Sequence, residues 1–230
     1  MATFDSAHLN TFLALPYTPQ PPVGRAPHDW AKQVDPETVK LFCLPSTQFC
    51  RSDLRQFCHD PENSTESCFI SVMAWGGMGV KNGRLIWKAR EFWIPTLDKL
   101  RSEELGRQAA FDRLKKLRDN EKLPGMRAPY FTKLIFFLLQ SCNGYIMDRW
   151  TARSINLLCN RKIVKINSAG YVANENDGDA YESFCSFMDA LAARYAQMGF
   201  SRQNFFRGDQ AEELLFAKPR SEWRKYLNKN

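Results

Sequence analysis

Two features of this chain have residue types and spacing suited to chemistry: the tripeptide Leu123-Pro124-Gly125 and, 23 residues past its glycine, Asp148. The tripeptide separates a charged, helix-compatible segment, residues 109–120, from an apolar one entered through Ala128-Pro129. Pro124 and Gly125 can stop the first helix and make a tight turn. Pro129 suits the first turn of the second helix, where an N–H has no intrahelical partner. A helix, hairpin and helix of this kind aim free backbone N–H groups and a helix N-terminus outward, which is a site for phosphate. Arg127 adds a guanidinium that can hold phosphate oxygens. Asp148 stands between Gly144-Tyr145-Ile146-Met147 and Arg149-Trp150-Thr151-Ala152, a junction where a helix begins. An aspartate there makes a good N-cap, and its carboxylate can also stabilise a developing cation. On residue type alone, capping outranks catalysis, and without Asp148 the hairpin would read as a plain turn between helices.

Taken together, Leu-Pro-Gly, an apolar helix and an Asp opening the next helix resemble the helix-hairpin-helix DNA glycosylase superfamily, and within it the 8-oxoguanine glycosylase branch. The similarity runs over roughly Ser67 to Leu158, more weakly to the C-terminus, and is nearest to the small prokaryotic glycosylases with this fold. Some of those act in phage defence by excising hypermodified cytosine. The resemblance implies a mainly α fold with two helical subdomains and a DNA-binding cleft between them. It also implies an enzyme that flips a modified base out of the duplex and breaks its N-glycosidic bond. Asp148 falls on the catalytic aspartate, which stabilises an oxocarbenium-like transition state and orients the attacking water. Four residues after Gly125, where bifunctional members carry a Schiff-base lysine, this chain has Pro129. That departure implies a monofunctional enzyme that leaves an abasic site. Lys122 precedes the turn and Lys133 lies one helical turn past the lysine position, so neither is well placed for lyase chemistry.

The resemblance also assigns DNA contacts. Leu123, Gly125 and Arg127 would hold a phosphate, and family members often bridge hairpin carbonyls to it with a monovalent cation; no sequence feature marks one here, and no other cofactor or metal is expected. The helix started by Ser64 and ended by Gly76-Gly77 corresponds to one whose final turn enters the duplex beside an extruded base. Here that turn is Trp75-Gly76-Gly77-Met78-Gly79, without the asparagines of the oxoguanine enzymes. An ordinary glycine cap explains it as well. The base-pocket positions fall on Lys133, Glu212 and Phe216. Phe216 keeps a stacking surface, whereas a carboxylate at position 212 suits the exocyclic amine of cytosine better than a purine carbonyl. The leading substrate is therefore a modified cytosine such as the glucosylated hydroxymethylcytosine of phage DNA. Oxoguanine repair and a non-catalytic helix-hairpin-helix DNA-binding protein are the alternatives.

Composition agrees with a folded, DNA-acting protein without requiring one. The chain of 230 residues is 44% hydrophobic and 13% aromatic, enough for a sizeable core, and its net charge of +7 suits a polyanionic partner. No apolar run approaches the ~18 residues of a membrane helix, and the N-terminus has no secretion signal. A cytoplasmic monomer acting on double-stranded DNA is expected. Cys43, Cys50, Cys58 and Cys68, with His59 nearby, are spaced by seven, eight and ten positions, unlike zinc or iron–sulfur patterns, so they read as buried thiols.

The elements that must position these residues follow from apolar periodicity. Residues 1–35, rich in proline, read as an arm, and residues 36–230 as one helical domain, with helix, hairpin and helix at 109–140 and the Asp segment at 144–160. Short helices are expected over Glu37–Leu44 and Ser52–Cys58, the latter capped by Ser52. A helical pattern runs from Asn82 to Asn120, with Trp87, Phe92, Trp93, Leu97 and Leu100 on a buried face and Arg84, Lys88 and Arg90 toward solvent. Residues 161–166 read as an extended connection and 174–179 as a polar loop. Tyr181 to Met198 forms a long helix closed by Gly199, with Phe184, Phe187, Met188, Leu191 and Tyr195 on its core stripe. A final helix starts at Asp209.

Overall fold

The computed structural model describes residues 3–15, 23–159, 161–197, 207–216 and 222–229, apart from the side chain of Val39. Among these the chain is mainly helical: α1 (Ser6–Leu13), α2 (Pro27–Val34), α3 (Thr38–Leu41), α4 (Arg51–His59), α5 (Thr65–Trp75), α6 (Val80–Lys88), α7 (Arg90–Arg101), α8 (Arg107–Asp119), α9 (Ala128–Leu138), α10 (Arg149–Leu158), α11 (Gly178–Gln197), α12 (Gly208–Phe216) and α13 (Glu222–Lys229). The described residues pair as β-structure only at two isolated bridges, Phe4 with Cys159 and Ile166 with Val172. The helices form two compact units, one of Gln20–Cys142 and one of Met1–Pro19 with Asn143–Asn230.

The Gln20–Cys142 unit is built on α5. Ser64 caps it, its side chain accepting from the Ser67 N–H at 3.1 Å, and every residue of the helix except Glu66 is buried. A helix apolar on all sides must be surrounded. It packs against α2, α4, α7 and α9. Phe69 stacks on Trp93, with ring centroids 4.0 Å apart, and α9 buries Phe131 and Leu134 to Leu138. The Arg51 and Arg55 guanidiniums lie 4.2 and 4.0 Å from the Phe136 ring centre. The periodic stretch from Asn82 to Asn120 divides into α6, α7 and α8. The breaks fall at Ala89 and in the turn after Ser102, where Glu103 takes a positive φ of 58° and Gly106 opens α8. Trp87, Trp93, Leu97 and Leu100 are buried as expected, but Phe92 is exposed and carries the Lys122 ammonium 4.3 Å above its ring.

Three expectations near the start change. The proline-rich first 35 residues contain α1, capped by Asp5, and α2, begun by Pro27 at its first turn. Each is eight residues long, too short for periodicity to reveal, while Pro16, Pro19, Pro21 and Pro22 lie outside the described residues. The helix expected over Glu37–Leu44 shrinks to α3, because Phe42 is already extended and Pro45 disfavours helix at Leu44. Ser52 does not cap α4. Cys50 does, its sulfur accepting from the Asp53 N–H at 3.4 Å. Cys58 and Cys68 are buried thiols as expected, whereas Cys43 is exposed and Cys50 half-buried.

In the second unit α11 and α12 pack on α10, and α1 and α13 add to α10. Phe184, Phe187, Met188, Leu191 and Tyr195 lie on the buried stripe of α11, which begins at Gly178 within the segment read as a polar loop. Gly199 lies outside the described residues. Trp223 of α13 donates to the Ser154 hydroxyl at 2.9 Å, and that hydroxyl donates to the Leu215 carbonyl at 3.3 Å, so α10, α12 and α13 share one buried link.

Candidate active site

Asp148 is the N-cap of α10 and is buried. Its Oδ1 accepts from the N–H groups of Trp150 at 2.7 Å and Thr151 at 3.1 Å. Thr151 completes a reciprocal cap. Its hydroxyl accepts from the Asp148 N–H at 2.9 Å and donates to the Ile146 carbonyl at 2.8 Å. The carboxylate therefore has one oxygen fixed by two backbone donors, and among the described residues no donor occupies Oδ2. The segment leading to it is braced too. Tyr181 accepts from the Tyr145 N–H at 3.1 Å and donates to the Tyr145 carbonyl at 2.9 Å. The Tyr145 hydroxyl donates to Asp189; burial first, and then Asp189, hold this phenol well above its ordinary pKa, so the proton stays on tyrosine. Gly208 permits this contact, since a Cβ there would overlap the Tyr145 hydroxyl.

The hairpin of the other unit has the expected form. α8 ends at Asp119, Gly125 takes φ +77° and lies against Asn82, and Pro129 sits in the first turn of α9. Met126 N–H donates to Leu123 O at 3.3 Å, and Tyr130 and Phe131 N–H donate to Arg127 O at 2.9 and 3.2 Å. Among the described residues the N–H groups of Leu123, Gly125, Arg127 and Ala128 have no acceptor, and the carbonyls of Lys122 and Gly125 have no donor. Gly125 and Arg127 are exposed, while the Leu123 side chain is anchored in the core. Four unpaired donors around a helix N-terminus make an anion-binding surface. The unpaired carbonyls leave oxygen ligands of the kind a monovalent cation takes.

Residues 17–216 match the model of a family described as putative 8-oxoguanine DNA glycosylase OGG-like protein. The chain belongs to this family. Membership suggests DNA glycosylase activity and DNA as substrate, and the helical structure is consistent with an OGG-like glycosylase fold. No curated protein and no solved structure matches. No described helix is long and apolar enough to cross a membrane.

The other positions considered for this OGG-like chain divide between its units. In the Gln20–Cys142 unit Gly76 caps α5 and Gly77 is exposed at φ +70°, but the Met78 side chain is fully buried and its carbonyl accepts from Trp30 Nε1 at 2.8 Å. The apolar residue of that turn is thus part of the core, and what the turn displays is glycine backbone. Lys133 lies along Gly76, its Nζ 3.4 Å from the Pro129 carbonyl and 5.5 Å from the Tyr130 ring centre. In the other unit Glu212 is buried within α12, and Phe216 at the end of α12 is half-buried. Arg224 of α13 donates twice to the Phe216 carbonyl, at 3.2 and 3.1 Å, and its guanidinium lies 5.3 Å from the Phe216 ring and 4.1 Å from the Trp150 ring. Burial lowers the Arg224 pKa; the charge of Asp148 opposes that effect and the charge of Arg149 adds to it. The fold therefore gathers Trp150, Phe216 and Arg224 about the start of α10. Thr151 was legible as the third residue after an N-cap aspartate. Trp150, Tyr181 and Arg224 carried no local signal.

Proposed function

We propose that the chain is a monofunctional DNA glycosylase, with Asp148 as its catalytic residue and the 123–128 hairpin as its phosphate grip. The observation that carries this reading is the fixed carboxylate of Asp148, held through Oδ1 by Trp150 and Thr151 at the start of α10. In the reaction the C1′–N bond of an extruded nucleotide lengthens and its electron pair departs with the base. Positive charge gathers on C1′ and the ring oxygen, and Asp148 stabilises it. Water then adds to C1′ and gives up a proton, leaving free base and an abasic site. Pro129 has no amine with which to attack C1′, so no covalent enzyme–DNA intermediate forms. The hairpin N–H groups and Arg127 hold a backbone phosphate, and a monovalent cation on the Lys122 and Gly125 carbonyls would add positive charge there.

The substrate reading is a modified cytosine in duplex DNA, glucosylated hydroxymethylcytosine first, bound by a monomer in the cytoplasm as part of antiviral defence. It rests on Glu212, whose carboxylate can accept from a cytosine amine, and on Phe216 as a stacking surface. The family description favours 8-oxoguanine as the second reading. Incubating the protein with duplexes carrying each modification, followed by alkali and mass spectrometry of the released base, separates them. Release of 8-oxoguanine with inertness toward glucosylated phage DNA reverses the ranking. Release of neither, with DNA binding retained, leaves a non-catalytic DNA-binding protein. A borohydride-trapped adduct would overturn the water mechanism.

A further inference from the structure

Tyr171, 46% exposed, stands on the closing side of a pinned turn, and its ring meets Arg149, the residue that follows Asp148. Asn167 closes the turn: its Oδ1 accepts from Ala169 and Tyr171 N–H groups at 3.1 and 3.0 Å, and its own N–H donates to the Tyr171 carbonyl at 2.9 Å. Ile166 and Val172 pair across the base of the turn. Buried Asn176 bonds both the N–H and the carbonyl of Lys165 at 2.9 Å, and Asn156 bonds Ile163 and Val164. Three asparagines thus hold the segment that carries this exposed aromatic ring. The same bonds seat Val164 and Val172 in the core, and the Tyr171 ring beside them stays outside it.

The ring continues into a ladder of alternating guanidinium and aromatic groups. Arg149 lies 5.0 Å from the Tyr171 ring and 4.6 Å from the Trp150 ring, and donates to the Tyr171 hydroxyl at 3.4 Å. Arg224 and Arg153 stand 4.1 and 5.5 Å from the same indole. Arg153 donates to neutral acceptors, Asn228 Oδ1 and the Leu227 carbonyl, and no carboxylate pairs with Arg149 or Arg153 among the described residues. An exposed π-face backed by Arg149, with which no carboxylate pairs among the described residues, suits a planar group attached to phosphate. An apolar peptide would bring no negative charge to Arg149 or Arg153. We propose that Tyr171, backed by Arg149, is a stacking platform for an unpaired nucleobase of the strand presented to Asp148, distinct from the pocket positions at Glu212 and Phe216. The inference rests on the reading that the protein acts on DNA and adds to it an affinity for single-stranded nucleotides.

The test uses the full chain and a single-stranded oligonucleotide carrying 2-aminopurine, whose fluorescence falls when the base stacks. Wild type and Tyr171→Phe should bind it with quenching. Tyr171→Ala should bind roughly 5- to 100-fold more weakly, the range for one stacked base, and with the quenching reduced. Unmodified duplex should bind all three alike. Equal affinity and quenching in wild type and Tyr171→Ala overturns the platform, as does Tyr171→Phe behaving like Tyr171→Ala, which would assign the effect to the hydroxyl. A wild type that releases base from duplex but ignores the single strand also overturns it, while leaving the glycosylase reading intact.

Discussion

Replacing Asp148 by asparagine separates the capping role seen in the structure from the catalytic role proposed for the same side chain. Asparagine caps helices about as well as aspartate, and the two backbone N–H groups both bond Oδ1, an atom that asparagine keeps. The cap should therefore survive in Asp148→Asn. What disappears is the charge. A carboxylate about 4 Å from a sugar cation, at an effective dielectric of about 20, contributes about 4 kcal/mol, equivalent to about a thousandfold in rate. Asp148→Ala removes the charge and the cap together, and the cap alone is worth about 1 kcal/mol, or about 2–4 °C in Tm for a chain of this size. The expectation is a wild-type Tm with about a thousandfold slower base release for Asp148→Asn, and the same catalytic loss with a lowered Tm for Asp148→Ala. Single-turnover base release and calorimetry measure the two quantities. If Asp148→Asn releases base within tenfold of wild type, the charge contributes less than about 1.4 kcal/mol and the catalytic assignment fails. A fall in its Tm equal to that of Asp148→Ala would show instead that the cap depends on the charge.

Gly125→Ala should cost about 1–2 kcal/mol and weaken duplex binding, because φ is +77° and a Cβ would come within 2.9 Å of the Asn82 side chain; denaturant melts and fluorescence anisotropy check both effects. His59 is held below its ordinary pKa, first by burial and then by the Arg55 charge, so the fold favours neutral imidazole. Its contribution to stability is complete above pH of about 6.5 and declines as pH falls toward the lowered folded value, and His59→Gln should flatten the dependence of Tm on pH in that window. Iodoacetamide at pH 8 should modify exposed Cys43 first and spare Cys58 and Cys159, since burial raises both thiols, Cys159 to about 12. Peptide mass spectrometry over a time course gives the order.

What was legible in the sequence was what short stretches of chain decide. Pro124, Gly125 and Pro129 punctuate the hairpin by restrictions on their own backbones, so its position could be read directly. The status of Met78 depends on Trp30, 48 positions earlier, whose indole fixes the turn from within the core; no pattern around Gly76 and Gly77 could supply that. Tyr171 likewise gains its setting from Arg149 and three asparagines spread over twenty residues. Asp148 lies between these cases. From sequence, capping and catalysis competed for it, and in the structure the cap uses one oxygen alone. The cap engages Oδ1 through Trp150 and Thr151, and Thr151 returns a hydroxyl to the Asp148 N–H, so the carboxylate is oriented without consuming Oδ2. An active-site carboxylate must be held within a narrow range of positions before substrate arrives. A helix cap does that with backbone donors already in place, so under the proposed mechanism the structural role of Asp148 would also prepare its carboxylate for catalysis.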